Sequence, residues 1–249
     1  MRAMLLRNWV LALLVPRPLV GIFYLPRYFL HWRRYRRLAP GPGPRLADSW
    51  PCLGDWQPRT PFDPHYFYQG AWLARRLAER PRERHVDVGS SLLTLSVLSA
   101  AVPILHIDVR PPEANLPGMR VEAGDVLALR FADRSVASLS CLHVIEHVGL
   151  GRYGDPIDPE GARKAAAELA RVLAPGGRLF VSTPVGRERV CFNAHRVFAA
   201  ESVAAMFAPL RLERFGLVDD AGAWRESAKL EDARGLDYAC GMFEFARPD

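Results

Sequence analysis

The chain has 249 residues, of which 49% are hydrophobic and 10% aromatic. These values are ordinary for a globular protein with a buried core, and they exclude disorder over most of the chain. The net charge of +6 is unevenly distributed: residues 1–47 hold nine arginines and no acidic residue, and the remainder holds 24 basic against 27 acidic residues. The larger part of the chain therefore has no basic excess, and we expect no nucleic-acid partner.

The N-terminal segment contains two short apolar stretches, residues 8–15 and 19–25. Neither reaches the roughly 18–20 residues that span a bilayer core. Aromatic residues and arginines follow where a signal peptide would have a cleavage site. We therefore predict that residues 1–39 form a membrane-associating segment, which binds an anionic membrane surface through residues 1–38. The protein is accordingly expected to be cytoplasmic and peripheral to the inner face of the membrane. The alternative is a helix pair docked on the protein's own surface.

The next segment is rich in proline and ends where the folded domain is expected to begin. Seven prolines lie between residues 40 and 64, and they block both helix and central strand. Residues 40–63 are therefore predicted to be a linker or an extended strap, and residues 64–249 the folded domain. Four scattered cysteines without a CxxC pair indicate a reducing compartment, and we assign none of them a catalytic role.

The domain begins with a helical pattern over residues 66–77, followed by a short β run that ends at Asp87 and a turn at Gly89. A strand, a glycine turn and a helix are typical of the first unit of a nucleotide-binding fold. The next apolar strand ends in Asp108, about twenty residues beyond the turn, where a carboxylate binds ribose hydroxyls in such folds.

Later segments continue the alternation of strands and helices. Short apolar runs end near Asp125 and at Leu142, a helix is predicted over residues 159–173, and a fifth strand over residues 178–183. The segment Ala174-Pro-Gly-Gly177 is predicted to end the helix before the fifth strand begins. This order predicts an α/β fold with a doubly wound parallel sheet, which binds ligands at the carboxyl ends of its strands.

Four strings, DVGSS, HID, GDVLALRFADRSVASLSCLHVIEHV and LAPGGRLFVSTP, resemble the class I S-adenosylmethionine-dependent methyltransferases over roughly residues 64–249. More narrowly, HVIEHVGLGRYGDPIDPEG resembles methyltransferase-like proteins of cell-surface polysaccharide loci. The resemblance implies a Rossmann-like sheet of about seven strands with the last antiparallel, and methyl transfer to a sugar or lipid-linked glycan. It also implies that S-adenosylmethionine is bound by Asp87, Gly89, Ser90, Asp108, Asp125 and Val126.

The string His143-Val-Ile-Glu146-His147 has the HxxEH order of inverted zinc proteases. Such a site needs a helix that presents both histidines on one face, whereas this string lies at a strand end and runs into Gly149. We therefore expect no metal here. Methyl transfer to a hydroxyl needs a base, and His143 and His147 are the candidates, with packing or capping at the strand end as the alternative role.

Two further groups of residues are predicted to contact the acceptor. The loop after His147 offers a cation, an aromatic ring and a hydrogen-bond acceptor that suit a sugar: Arg152, Tyr153 and Asp155. The second group follows the fifth strand: Asn193, His195 and Arg196. The alternative for the loop is a rigid surface element.

The turn after the first strand departs from the family pattern. Ser91 and Leu93 stand where the family has glycines. The sequence therefore leaves two functions open: an active methyltransferase, or a membrane-tethered scaffold that keeps the fold without turnover.

Overall fold

A computed structural model describes residues 18–248 of the chain. The chain divides into two compact units between Phe62 and Asp63. The apolar stretch of residues 8–15 lies outside the described residues.

The first unit contains one long helix, α1 (Pro18–Leu38), and a short 3-10 turn at Leu46–Asp48. The apolar stretch of residues 19–25 ends before Pro26, but the helix continues through this proline, at the cost of the one backbone donor that proline lacks. The proline-rich segment packs back on the helix, since the Arg27 guanidinium lies 3.6 Å from the Trp56 ring centroid. Among residues 18–248, no helix combines the length and apolar character that crossing a membrane requires.

The second unit alternates helices and strands. Its helices are α2 (Pro64–Glu79), α3 (Leu92–Leu98), α4 (Gly161–Val172) and α5 (Ala200–Met206), with a 3-10 turn at Leu230–Ala233. Its strands are β1 (His85–Val88), β2 (Ile104–Asp108), β3 (Met119–Ala123), β4 (Val136–Leu142), β5 (Leu173–Val185), β6 (Arg189–Cys191), β7 (His195–Val197), β8 (Arg211–Val218), β9 (Trp224–Arg225) and β10 (Ala239–Ala246).

The main sheet has eight strands in the order β3-β2-β1-β4-β5-β10-β8-β9. The first five are parallel to one another, and β10 runs antiparallel to both of its neighbours. The doubly wound α/β fold is confirmed, with eight strands where about seven were expected. The additional strand is the two-residue edge strand β9, whose backbone pairs only with β8, while β6 and β7 form a separate hairpin.

Helix α2 begins where the prolines end. The Asp63 side chain accepts hydrogen bonds from the backbone amides of His65 (2.9 Å) and Tyr66 (3.3 Å), and Pro64 occupies the first turn, which needs no amide donor there. The opposite face of the helix buries Trp72 and Leu73 against the sheet. The cap therefore fixes the start of α2, and with it the position of His65.

Strand β5 begins earlier than the sequence predicted. It starts at Leu173, directly after α4, because residues 174–177 form an irregular strand segment with a register shift opposite β4. Gly176 has φ +64°, and a Cβ on Gly177 would lie 2.7 Å from the Ala174 carbonyl oxygen. The glycines that predicted a helix stop thus allow a bulge inside the strand.

Candidate functional site

The carboxyl ends of β1, β2 and β3 form one edge of the sheet. The Gly89 amide donates to the Ile107 carbonyl (2.9 Å), and the Gly124 amide donates to the Asp108 carbonyl (3.1 Å). These bonds extend the parallel pairing past the strand ends, so Gly89, Asp108 and the residue after Gly124, Asp125, follow one another along this edge.

The turn after β1 requires glycine. Gly89 has φ +71°, and a Cβ at this position would lie 3.1 Å from Val144 Cγ2. The backbone of the turn is therefore packed against Val144 in the segment that follows β4, and a side chain at this position would be both strained and crowded. In nucleotide-binding folds, such a turn lets the backbone approach a ligand closely.

Asp87 lies behind this turn and is fully buried. Its carboxylate accepts hydrogen bonds from the Ser90 amide (3.1 Å), the Ser90 hydroxyl (2.5 Å) and the Ser140 hydroxyl, and it also pairs with His106 Nδ1 (3.0 Å). The Ser90 hydroxyl in turn accepts from the Leu142 amide (2.9 Å). Asp87 and Ser90 therefore hold the turn onto β4.

Asp108 is better placed to contact a ligand. One of its oxygens accepts from the Arg110 amide (2.7 Å), the other lies 3.9 Å from His106 Nε2, and a quarter of the side chain is exposed. A carboxylate accepts about four hydrogen bonds, so Asp108 retains capacity for two hydroxyl groups. Asp125 is exposed and accepts from the Leu127 amide (2.9 Å), while Val126 beside it is buried.

The side chains that replace the family's glycines do not fill the turn. Leu93 is 82% exposed on α3. Ser91 is the residue before the helix, and its side chain makes no capping hydrogen bond there. Neither residue is therefore buried in the protein core or engaged in capping the helix.

The HVIEH string forms a series of turns rather than a helix. His143 Nδ1 lies 2.8 Å from Glu146 Oε1, whereas His147 Nδ1 lies 2.7 Å from the Ala194 carbonyl oxygen. The two rings are therefore held by different partners. The helical zinc-protease arrangement is absent from this string, as its position at a strand end predicted.

Glu146 and His143 form a buried ion pair. Burial raises the pKa of Glu146, but the neighbouring His143 outweighs burial and brings that pKa below its ordinary value. Burial lowers the pKa of His143, but Cys240 and Glu146 together hold it well above its ordinary value. His143 therefore keeps its proton at neutral pH, which argues against its role as the base.

His147 has the protonation state that a base requires. Burial lowers the pKa of His147 and outweighs the nearby Glu146 carboxylate, which raises it. Because the Ala194 carbonyl can only accept, Nδ1 carries the proton and Nε2 keeps its lone pair. The imidazole is thus neutral and oriented, with an unprotonated Nε2 that lies 3.9 Å from Glu146 Oε1.

Asp155 shapes the loop after His147. Its carboxylate accepts from the backbone amides of Gly149 (2.6 Å), Gly151 (3.3 Å) and Tyr153 (3.2 Å). Burial raises the pKa of Asp155, but these backbone hydrogen bonds outweigh it and lower the pKa. The rigid-loop alternative holds for this residue, because its oxygens are used within the loop.

Tyr153 and Arg152 are exposed at the tip of this loop. The guanidinium carbons of Arg110 and Arg152 lie 4.3 Å and 5.1 Å from the Tyr153 ring centroid. Arg152 also donates to the Ala194 carbonyl (2.9 Å), the same acceptor that orients His147. Since Arg110 lies two residues after Asp108, this contact joins the loop to the edge where the predicted cofactor residues lie.

The residues of the second group that was predicted to contact the acceptor have different environments in the structure. Asn193 is exposed in the turn between β6 and β7, and the His195 ring lies 5.1 Å from that of Tyr238. Arg196 is buried, and its guanidinium donates to the carbonyls of Val148 (2.6 Å) and Asp158 (3.3 Å). We therefore assign Arg196 a structural role, in which it ties β7 to the loop.

Three residues that the sequence analysis did not select lie around His143. The His65 and Tyr66 rings are stacked with the His143 ring at centroid distances of 5.7 Å and 5.3 Å, and Cys240 Sγ lies 3.4 Å from His143 Nε2. Cys240 is 97 residues away in sequence. No local pattern signals these contacts, because the strand order of the sheet creates them.

Sequence comparisons match parts of the chain. Residues 130–216 match the family described as Caenorhabditis protein of unknown function, DUF268. An uncharacterized 37.1 kDa protein in transposon TN4556 of Streptomyces fradiae is 34% identical in an alignment over 121 residues that covers 43% of this chain. The matched region spans 32%, about a third, of that relative's length.

Solved structures match most of the chain. N-methyltransferase NodS of Bradyrhizobium japonicum WM9, in complex with S-adenosyl-L-homocysteine, is 16% identical with a TM-score of 0.53, covering 88% of this chain and 98% of NodS. The [4+2]-cyclase SpnF is also 16% identical, with a TM-score of 0.51 and coverage of 71% and 80%. YcgJ of Bacillus subtilis has a TM-score of 0.50 at 16% identity, with coverage of 74% and 100%. The chain has the fold of the class I S-adenosylmethionine-dependent methyltransferases.

Proposed function

We propose that the protein transfers a methyl group from S-adenosylmethionine to a hydroxyl group of a sugar or lipid-linked glycan at the cytoplasmic membrane face. The observation that carries the proposal is the edge of the sheet, where the bare turn at Gly89 and the available carboxylate of Asp108 lie on adjacent strands. These residues fit the cofactor, whose sulfonium supplies an already activated methyl group. NodS, which shares the fold, was crystallised with S-adenosyl-L-homocysteine, and this supports the choice of cofactor.

The residues of the chain supply approach and proton removal. A turn without side chains at Gly89 and a carboxylate at Asp108 position the cofactor, and the loop around Tyr153 covers the adjacent edge. His147 Nε2 accepts the hydroxyl proton as the new bond forms. Two guanidinium groups at Tyr153, those of Arg110 and Arg152, favour an anionic acceptor such as a phosphorylated, lipid-linked sugar.

Helix α1 supports a membrane location for the proposed reaction. Ile22, Phe23 and Leu30 expose 53%, 81% and 63% of their surface. Four exposed arginines follow within one turn of each other: Arg33, Arg34, Arg36 and Arg37. Apolar side chains next to a cluster of arginines are typical of segments that bind anionic lipid surfaces.

We expect Asp108→Ala to weaken cofactor binding by about 1.5–3 kcal/mol, because hydrogen bonds to a charged acceptor contribute that much. Isothermal titration calorimetry of the full-length protein with S-adenosylmethionine or S-adenosyl-L-homocysteine measures the change. Asp133→Ala is the matched control, since that exposed carboxylate pairs with Arg171 away from the edge. Equal affinities of Asp108→Ala and the unmodified protein would remove Asp108 from the site.

The same titration distinguishes an active methyltransferase from the second candidate function, a scaffold that keeps the fold without turnover. Ser91 and Leu93, which stand at two glycine positions of the family, favour a scaffold that has lost cofactor binding. A scaffold predicts no heat of binding for the unmodified protein at millimolar cofactor. SpnF, a [4+2]-cyclase by name, shows that this fold also serves other reactions, so methylated product must be detected as well.

Replacing the four clustered arginines at the end of α1, Arg33, Arg34, Arg36 and Arg37, by alanine is expected to weaken binding to anionic liposomes about a thousandfold, because each contributes roughly 1 kcal/mol near such a surface. Co-sedimentation with phosphatidylserine-containing vesicles measures the partition. The control variant replaces four exposed arginines of the second unit: Arg75, Arg80, Arg82 and Arg84. If both variants lose binding equally, or neither does, α1 is not the attachment site.

A further inference from the structure

We propose that His65, His143 and Cys240 form a zinc-binding site next to the candidate active site. One ligand atom from each residue lies within 4.8 Å of the other two. The three residues come from the start of α2, the turn after β4 and the start of β10, so the fold itself brings them together. The proposal departs from the expectation that the HVIEH string holds no metal, and it uses one histidine of that string with two distant residues.

The distances suit tetrahedral coordination. With Zn–S of about 2.3 Å and Zn–N of about 2.0–2.1 Å, a tetrahedral site separates sulfur from nitrogen by roughly 3.5 Å. His143 Nε2 and Cys240 Sγ are 3.4 Å apart. The His65 ring is stacked with the His143 ring, with 18° between the planes. Because the lone pair of an imidazole nitrogen lies in the ring plane, the half-buried His65 side chain must rotate to direct a nitrogen at an ion that His143 and Cys240 already hold.

The orientation of His143 is fixed as in histidine metal sites. Its Nδ1 lies 2.8 Å from Glu146 Oε1, so Nε2 is the nitrogen that faces Cys240. Glu146 is fully buried, and its second oxygen lies 3.3 Å from the Thr183 hydroxyl. A carboxylate that holds the far nitrogen of a ligand histidine fixes the ring and raises its basicity.

The ligand types select the ion. A thiolate with two imidazoles is a set that zinc and other borderline-soft ions prefer, whereas magnesium and calcium prefer oxygen. Three protein ligands leave a fourth position for water or another oxygen, as in catalytic rather than structural zinc sites. Tyr66 and Tyr238 lie beside the three ligands, since their rings are 5.3 Å from those of His143 and His65 respectively.

His147 is not one of these ligands. Its Nδ1 is engaged by the Ala194 carbonyl, and its pairing with Glu146 is long, at 3.9 Å. Zinc at the three proposed ligands therefore leaves the candidate base in place. The metal site does not depend on methyl transfer, so its test needs neither acceptor nor cofactor.

The test measures metal in the purified full-length protein. We expect one zinc per chain by elemental analysis after dialysis and, for protein stripped with a chelator and titrated with ZnCl2, binding that competes with a chromogenic chelator. Cobalt in place of zinc is expected to give thiolate-to-metal absorption and the intense visible bands of tetrahedral Co²⁺. His65→Ala and Cys240→Ser are expected to weaken zinc binding at least a hundredfold, and Glu146→Gln about 10–100-fold.

Cys191→Ser is the matched control, since that cysteine lies in β6 outside the cluster, and it should keep the metal. His65→Ala is expected to leave the fold intact, because His65 is only half-buried near the start of a helix. Thermal melts of the metal-free proteins test whether His65→Ala and Cys240→Ser are folded. Absence of zinc and of the cobalt–thiolate absorption in the unmodified protein would overturn the proposal. So would full zinc occupancy in folded His65→Ala and Cys240→Ser.

Discussion

Replacing Asp87 by alanine is expected to lower the free energy of unfolding by about 3–5 kcal/mol, because each buried donor left without an acceptor costs about 1–3 kcal/mol. The carboxylate is fully buried and serves donors on three elements: the turn at Ser90, the β4 hydroxyl of Ser140 and His106 on β2. Its removal leaves these groups without their acceptor inside the core. Urea unfolding followed by circular dichroism measures the loss.

Asp108→Ala is the matched comparison for this prediction. Both carboxylates lie at or next to the carboxyl end of a neighbouring strand, but a quarter of the Asp108 side chain is exposed. We expect Asp108→Ala to change the free energy of unfolding by less than about 1 kcal/mol, in the range of surface substitutions. Similar losses in both variants would contradict the separate roles assigned here, one in stability and one in binding.

Replacing His147 by alanine is expected to lower kcat about 10²–10⁴-fold, which is the usual contribution of a positioned general base. Since burial lowers the pKa of His147 below its ordinary value, the base is neutral at pH 7. Activity of the unmodified protein should therefore be flat above about pH 6.5 and be lost as the pH falls through the lowered pKa. A pH profile of kcat with an anionic sugar acceptor that gives measurable turnover tests both expectations.

His31→Ala serves as the control for this experiment, because His31 is an exposed residue of α1. It should leave both kcat and the pH profile unchanged. An acid limb that survives in His147→Ala would show that another group titrates there. An unchanged kcat in that variant would remove His147 from the reaction.

The order of elements was predictable because each strand carries its own local signals. Apolar runs, the turn at Gly89 and the proline-rich segment before Pro64 predict where elements begin and end, and parallel connections leave few topologies for them. One prediction about a local feature was wrong. The glycines at 176 and 177, which were expected to separate a helix from a strand, form a bulge in the strand.

The roles of individual site residues were less predictable, because strand pairing decides which side chains meet. Asp87 and Asp108 look alike in sequence, yet only Asp87 has partners on both neighbouring strands. Arg196 looks like a ligand for an anionic acceptor, but its guanidinium is used by backbone carbonyls. Cys240 meets His143 only because β10 enters the sheet beside β5.

The position of β10 also affects how the protein is made. This strand pairs with β5 and β8 and is buried along its whole length, so residues 239–246 fill an interior gap in the sheet. At a synthesis rate of about 5–20 residues per second, several seconds pass between the synthesis of β5 and that of β10. Until then the edge of β5 stays open to pairing with other chains. We expect nascent chains to depend on chaperones in that interval, and Cys240 to reach His143 only at its end.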